Sequence, residues 1–442
     1  MDFWNLLSLT QEHISAHYAA VLTDRKKLVQ LKAYVEKYLR DMNYSAKGYT
    51  QEELIDALYC EMVEYSILTK YLGSPDLEEI NVNAWNDIAL TYLDGSIVKT
   101  KEHFHSPQHA VDIIKRLLHH SGMIIDNATP MAQGHLPQVL SQSGTTLTTR
   151  ITALKEPIVD ESSGIACSIR LLHPQRVDRR MLLDTEFCTD EMLSFLEMCV
   201  RYGISAVMAG ATSSGKTTLL NALLQSIPDS KRIFSIESGS RELSLIRNSK
   251  DGISNNVVHT LSRPSDNSAY DITQETLVVA SLRFNPDIVV VGEMRDLECH
   301  SAVEASLTGH TVVSTVHAGA ADAAHMRISL LCQKRFPIDF TTSLTQTAQA
   351  FPLVVYVHKC ENNARKIMDI SECEILPTGE RRYRILYRYN IIRNEIINGE
   401  TVMEGCFEKS GTMSESLQRK LMQYGVPQNE LQKFTGKGLA EK

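Results

Sequence analysis

The chain has 442 residues, more than one compact domain holds, and reads as two or three domains. Hydrophobic residues at 43% and charged residues at 22% describe an ordinary globular protein, and a net charge of -8 excludes a general nucleic-acid coat, though not a local basic patch. The nine cysteines include no CxxC pair, which excludes a zinc knuckle or a thioredoxin-like site and leaves free thiols in a reducing compartment.

The opening "MDFWNLLSLTQEHI" has neither a basic leader nor a small-residue cleavage site. No apolar run approaches the roughly 20 residues that span a bilayer. An intracellular protein, at most peripheral to a membrane, is expected. Residues 1 to about 70 read as a helical segment. Leu28, Leu31, Val35, Tyr38 and Met42 follow a 3-4-3-4 spacing over about two heptads. A coiled coil needs three or four, so a helix packed on its own domain is expected. Phe3, Trp4, Leu6 and Leu7 suit a packed core or, alternatively, a membrane surface.

Residues 71–172 read as an α+β domain. "IALTYLDGSIVKT" is a β-hairpin turning at Asp94-Gly95, "HAVDIIKRLLHHSG" a helix ending near Gly122, and "GTTLTTRITAL" and "IACSIRLL" are strand-like. The polar, Arg-rich stretch 173–186, "HPQRVDRRMLLDTE", reads as a linker. From 187 to 442, strands alternate with helices: "ISAVMAG", "RIFSIES", "DIVVVGE" and "TVVSTVHAG". The expected fold is α/β, a mostly parallel sheet with helices on both faces. After about 353 the pattern turns to short strands, Asn/Gly turns and a final helix near 413 to 424. In "RRYRILYRYNIIR", Arg381 to Arg393, five arginines lie among three tyrosines. Such interleaving suits nucleic acid or anionic lipid. Partial alternation in an acidic chain favours a strand with a solvated polar face.

"GATSSGKTT", Gly210 to Thr218, fits GxxxxGK[ST] in full, between an apolar strand and an amphipathic helix. Gly210 and Gly215 let the backbone turn tightly. The N–H groups of Ala211, Thr212, Ser213 and Ser214, with the following helix N-terminus, suit phosphate. Lys216 is expected on the β and γ oxygens of ATP, and the Thr217 hydroxyl on Mg2+. Three strand ends beside this loop carry further candidates: Glu237, Glu293, and His317 after Ser314 and Thr315. A carboxylate there orients or deprotonates the attacking water. A histidine there contacts the γ-phosphate and reports its loss. Gly292 stands where many phosphate-loop ATPases carry a magnesium-binding aspartate. It is expected to give backbone freedom and to leave the metal to Thr217, phosphate oxygens and water, with Glu293 or Glu237 acting through that water.

On these residues the chain resembles the secretion and pilus-assembly ATPases of type II and type IV systems. "LRFNPDIVVVGEMRD" matches their signature, "TGHTVVSTVHAG" their histidine box, and "IESGSREL" their acidic box. In the last, Ser238 replaces an aspartate and one residue is inserted before Arg241. "PMAQGHLPQ", "TTRITALKEPI", "CSIRLL" and the carboxy-terminal "GCFEKSGTMSESLQRKLMQYGVP" are similar to the tight-adherence (Tad) pilus ATPases, with His135 where an arginine is usual. The tetracysteine zinc module of many type II enzymes is absent.

The resemblance implies a RecA-like ATPase core behind an amino-terminal domain. It implies a homo-hexamer using ATP and Mg2+ to drive pilus assembly or secretion, docked on an inner-membrane platform protein at the cytoplasmic face of the membrane. It also implies that Arg150 and Arg170 approach the nucleotide. The alternatives are a type IV secretion or conjugation ATPase, a nucleic-acid translocase, which the acidic surface disfavours, and a scaffold that binds ATP without cycling.

Overall fold

The computed structural model describes residues 1–23, 30–119, 122–140, 146–172, 178–239, 241–250, 252–263, 270–398 and 400–435. The chain divides into two units, Met1–His173 and Pro174–Lys442.

In the first unit, helices α1 (Phe3–Thr23, kinked at Tyr18), α2 (Leu31–Asp41) and α3 (Gln51–Val63) enclose a small core of Leu6, Ile14, Leu31, Val35, Leu39 and Leu58. Thr50 and Glu53 start α3 with a reciprocal capping box. The 3-4 spacing resolves as Leu31, Val35 and Tyr38 facing inward, with Met42 exposed and Leu28 outside the described residues. Leu6 and Leu7 are buried, Phe3 stacks on Tyr49 and Trp4 on His105. The amino-terminal apolar group therefore packs within its own unit.

After the short α4 (Leu68–Leu72) come β1 (Leu77–Ala84), β2 (Asp87–Tyr92), β3 (Ile97–Lys99), α5 (Pro107–His119), β4 (Met131–Leu140), β5 (Thr146–Lys155) and β6 (Ile165–Leu172). The six strands form one antiparallel sheet in the order β3-β2-β1-β6-β5-β4. The β2–β3 turn uses Gly95 at φ 87° and closes with the Tyr92 amide donating to the Ser96 carbonyl at 2.9 Å. Helix α5 buries Val111, Ile114 and Leu118 in a core shared with Ile80, Ile151 and Ile169.

The stretch 173–186 is not simply a linker. Residues 173–177 lie outside the described set, but Asp178 caps α6 (Arg179–Asp184) by accepting from the Met181 amide, and Leu182 is buried in the core of the second unit. The charged run concealed a short helix with one anchoring apolar residue.

Next come α7 (Asp190–Arg201), β7 (Ala206–Ala209), α8 (Lys216–Gln225), β8 (Arg232–Ser238), the small pair β9 (Asn248–Ser249) and β10 (Gly252–Ile253), β11 (Asn256–Ser262) and α9 (Gln274–Ser281). Then follow β12 (Ile288–Val291), α10 (Glu298–Leu307), β13 (Thr311–Val316), α11 (Ala321–Gln333), α12 (Phe340–Ala350), β14 (Leu353–Lys359), β15 (Arg365–Ile375), β16 (Arg381–Ile397), β17 (Glu400–Lys409), α13 (Glu415–Gln423) and α14 (Gln428–Thr435).

One nine-stranded sheet runs β11-β8-β12-β13-β7-β14-β15-β16-β17. The first six strands are parallel, and the rest join antiparallel. Alternate residues feed two cores. Ile288 and Val290 pack with Leu193, Leu220 and Leu417 on one face, and Val289 and Val291 with Val303, Ile328 and Phe351 on the other. This is why Ile288 to Val291 is apolar throughout: a strand buried on both faces shows no alternation.

The segment after 353 corrects the expectation of short strands. β15 has 11 residues and β16 has 17, and both extend the main sheet. The tyrosines of Arg381–Arg393 turn inward: Tyr387 and Tyr389 are buried and the Tyr383 hydroxyl meets His325 Nδ1 at 2.9 Å. Arg384 pairs with Glu374, Arg393 with Glu395, and Arg382 and Arg388 are exposed. The expected last helix is two, α13 and α14, parted at Gly425 (φ 84°) and Pro427.

Candidate active site

The site forms where β7 enters α8. A Cβ at Gly210 would lie 2.3 Å from the Val357 carbonyl oxygen and 2.6 Å from Ser214 Oγ, so only glycine fits. Gly215 sits at φ 101° as the residue before α8, and a Cβ there would press on the Phe187 ring at 2.9 Å. Bonds from outside hold the loop. The Gly210 amide donates to the Val316 carbonyl at the end of β13 (3.3 Å), and Arg365 Nε donates to the Ser213 carbonyl (2.9 Å). Ala211 and Thr212 are exposed at the tip, while Thr217 and Thr218 are half-buried in the first turn of α8.

Lys216 is 7% exposed, and its Nζ donates to the carbonyls of Gly210 (3.0 Å) and Ala211 (2.6 Å). Neutral carbonyls are weaker partners for an ammonium than a phosphate oxygen. The amine is thus placed to exchange them for an anionic ligand in the loop.

The sheet order β8-β12-β13-β7 brings the other candidates into line. Glu237 is the last residue but one of β8, Glu293 follows β12, His317 follows β13, and the phosphate loop follows β7. Each stands at a carboxyl end, where this architecture places its ligands. Glu293 Oε1 lies 3.0 Å from His317 Nε2, and its Oε2 lies 3.9 Å from an Arg295 guanidinium nitrogen. Arg295 also donates to Ser238 Oγ at 2.6 Å, linking this strand end to that of β8. Ser314 and Thr315 are structural. Their hydroxyls donate to the Val291 and Gly292 carbonyls at 2.6 and 2.7 Å and tie β13 to the end of β12.

Gly292 does something other than expected. It does not adopt a positive φ, so its backbone freedom is unused. A Cβ there would instead lie 3.3 Å from Glu237 Cγ. The missing side chain makes room for the acid of the neighbouring strand.

Glu237 is 4% exposed. Its Oε1 accepts from the amides of Glu242 (2.8 Å) and Leu243 (3.0 Å), so the altered acidic-box loop folds back onto the acid it retains. Burial pushes the carboxyl up to about 7, against the pull of those two amides. Its Oε2 finds no hydrogen-bond partner among the described residues and faces His259 Nδ1 at 3.9 Å. Burial also depresses the His259 imidazole to about 4, so it is neutral.

Arg150 and Arg170 belong to the first unit. They are paired in register across β5 and β6, and His135 on β4 is in register with Arg150. Both arginines are half-buried, and Arg170 pairs with Glu78 at 3.4 Å. Two like charges side by side on a sheet carry a cost unless a negative group meets them.

Three contacts of the site escaped the sequence reading: Phe187 under Gly215, Arg365 on the loop, and His259 beside Glu237. No local signal marks them. Arg365 is 152 residues from Ser213, and only the strand order reveals which residues flank Glu237.

A glycine-pinned phosphate loop, a buried lysine and a row of strand-end acids define a phosphate-loop nucleotide-binding unit. The chain belongs to the type II/IV secretion system protein family, whose sequence description matches residues 62–425. It is similar to the type IV secretion system protein PtlH of Bordetella pertussis, 32% identical over 189 residues, 41% of this chain and 54% of that protein. It is also similar to the type II secretion system ATPase E of Vibrio cholerae, 40% identical over 124 residues, 28% of this chain and 22% of that protein. Among solved structures, the Legionella pneumophila ATPase DotB aligns over 82% of this chain and 83% of its own at 17% identity, with a TM-score of 0.46. The chain spans about half the length, or less, of these curated relatives.

Proposed function

We propose that the chain is an ATP-hydrolysing motor that works as a homo-hexamer in pilus assembly or protein secretion, nearest the tight-adherence subgroup. The observation that carries this reading is the alignment of Glu237, Glu293, His317 and the phosphate loop on four adjoining strand ends. A binding scaffold needs only the loop; the two acids and the histidine add the groups that hydrolysis requires.

The loop amides and the N-terminus of α8 hold the phosphates, and Lys216 leaves its two carbonyls for the β and γ oxygens. Thr217, with Glu237 or Glu293 through water, offers the oxygen ligands that Mg2+ prefers. When bound, Mg2+ would draw charge from the phosphate oxygens. Glu293 takes the proton of the attacking water. His317, 3.0 Å from Glu293, is placed to register whether the γ-phosphate is there. By the resemblance to the family, Arg150 and Arg170 are the candidates to add positive charge at the nucleotide during turnover.

No helix among the described residues is long and apolar enough to cross a membrane. The partner that fits a motor of this family is an inner-membrane platform protein, with the ring at the cytoplasmic face. The similarity to PtlH favours a second reading, a type IV secretion ATPase with the same chemistry. Lys216→Ala tests the shared core of both. It should abolish tight ATP binding and turnover, and parental ATP affinity in this variant would remove the loop from the mechanism.

A further inference from the structure

Among the described residues the buried polar side-chain atoms without partners are few, and three of them gather at the edge of the sheet next to the candidate active site. Strands β8 and β11 pair in parallel with Ser235 opposite His259. Glu237 lies two residues beyond Ser235, so Ser235, Glu237 and His259 share one face. Ser235 Oγ, Glu237 Oε2 and His259 Nδ1 are all buried and find no hydrogen-bond partner among the described residues. An unmet buried polar atom is costly to keep, because it gives up water and gains nothing in exchange. A core that keeps three together has a use for them, or satisfies them in another state of its cycle.

The geometry indicates the use. One oxygen of Glu237 is pinned by two loop amides. The other is aimed at an imidazole 3.9 Å away, beyond direct bonding but within reach of a small shift. A neutral imidazole offers one N–H and one acceptor. The His259 side chain is 6% exposed and cannot swing into solvent. From the folded-back loop, the charge of Arg241 reaches both Glu237 and His259, and that of Glu242 reaches Glu237.

We propose that His259 is a positioning residue of the active site: by a small shift that closes the 3.9 Å gap, it donates from the neighbouring strand to the second oxygen of Glu237 during the cycle, so that the carboxylate, then held at both oxygens, keeps one orientation toward the nucleotide. Ser235, in register beside it, completes a polar floor under the acid. This inference rests on Glu237 acting in the site.

Partners that orient a reacting carboxylate or a ligand typically contribute about 10–100-fold to activity. The test uses the full chain and four variants: His259→Leu, His259→Asn, His259→Gln and Glu237→Gln, with His259→Leu also placed in the Glu237→Gln background. His259→Leu should lower kcat by about 10–100-fold with little change in the Kd for ATP. His259→Asn sets a polar atom near the Nδ1 position and should recover most of that loss. His259→Gln sets it near Nε2 and should not. With Glu237 already replaced, His259→Leu should have little further effect on kcat. Equal activity of the Asn and Gln variants, or the same fractional loss from His259→Leu in both backgrounds, would overturn the proposal and leave His259 a packing residue. Should the leucine variant fail to fold, the contrast between Asn and Gln decides alone. Parental turnover by Glu237→Gln would instead show that Glu237 is not in the site, and would take the role of His259 down with it.

Discussion

Burying Glu237 has a cost that depends on pH, and Glu237→Gln should relieve it. The carboxyl rises from its ordinary 4.5 to about 7 in the folded protein. A tenfold change in proton affinity is worth about 1.4 kcal/mol. An acid whose folded value is raised binds more protons folded than unfolded between the two values, so stability falls as pH rises through that window. The penalty is slight near pH 4.5 and reaches about 3 kcal/mol above pH 7. Gln keeps an oxygen for the two loop amides and carries no charge at any pH. The stability of the variant minus that of the parent should therefore grow by about 2.5 kcal/mol between about pH 5 and pH 8. His259, depressed to about 4, titrates with the opposite sign. It is present in both proteins and largely cancels from the difference. Urea unfolding of nucleotide-free protein by circular dichroism reads the effect; both tryptophans, Trp4 and Trp85, lie in the first unit and do not report on this one. The same difference at both pH values would refute the reasoning and put Glu237 in an environment that leaves it ionised.

Two further outcomes are expected. Gly210→Ala should distort the loop, because its Cβ would meet the Val357 carbonyl at 2.3 Å; a loss of about 1–3 kcal/mol in stability with weakened ATP affinity is expected, and a parental melting temperature and Kd would count against the close approach. Arg150→Ala and Arg170→Ala should each lower turnover, by as much as about 10³-fold if the residue acts as a finger, while the unfolding transition stays near that of the parent; normal turnover in either would remove that residue from the site.

The sequence disclosed what is local. A phosphate loop is a contiguous motif with an obligatory strand and helix around it, and strand-end acids follow apolar runs that periodicity identifies. The strand-end places of Glu237, Glu293 and His317 were therefore readable, as were the hairpin at Gly95 and the helix before Gly122. What depends on pairing was not. No periodicity states that β11 lies beside β8, so His259 and its relation to Glu237 were hidden. Gly292 was read as a backbone device because its neighbour across the sheet was unknown. Arg365 reaches the loop only because β15 continues the sheet after β14, a continuation that the turn-rich composition concealed. The helix at Arg179–Asp184 went unseen because its charged surface outweighs Leu182, its one buried residue, and because the partners of Arg179 on α7, Asp190, Ser194 and Glu197, are settled only by the fold.

The central claim, that this row of strand ends hydrolyses ATP through Glu293, is tested most directly by Glu293→Gln. The substitution keeps the shape and removes the proton acceptor, whose role contributes typically about 10²–10⁴-fold. Steady-state turnover and ATP affinity should be measured together on the full chain. The account predicts near-parental affinity for MgATP with turnover lowered by at least about 10²-fold. Near-normal hydrolysis would contradict it and move the base to Glu237.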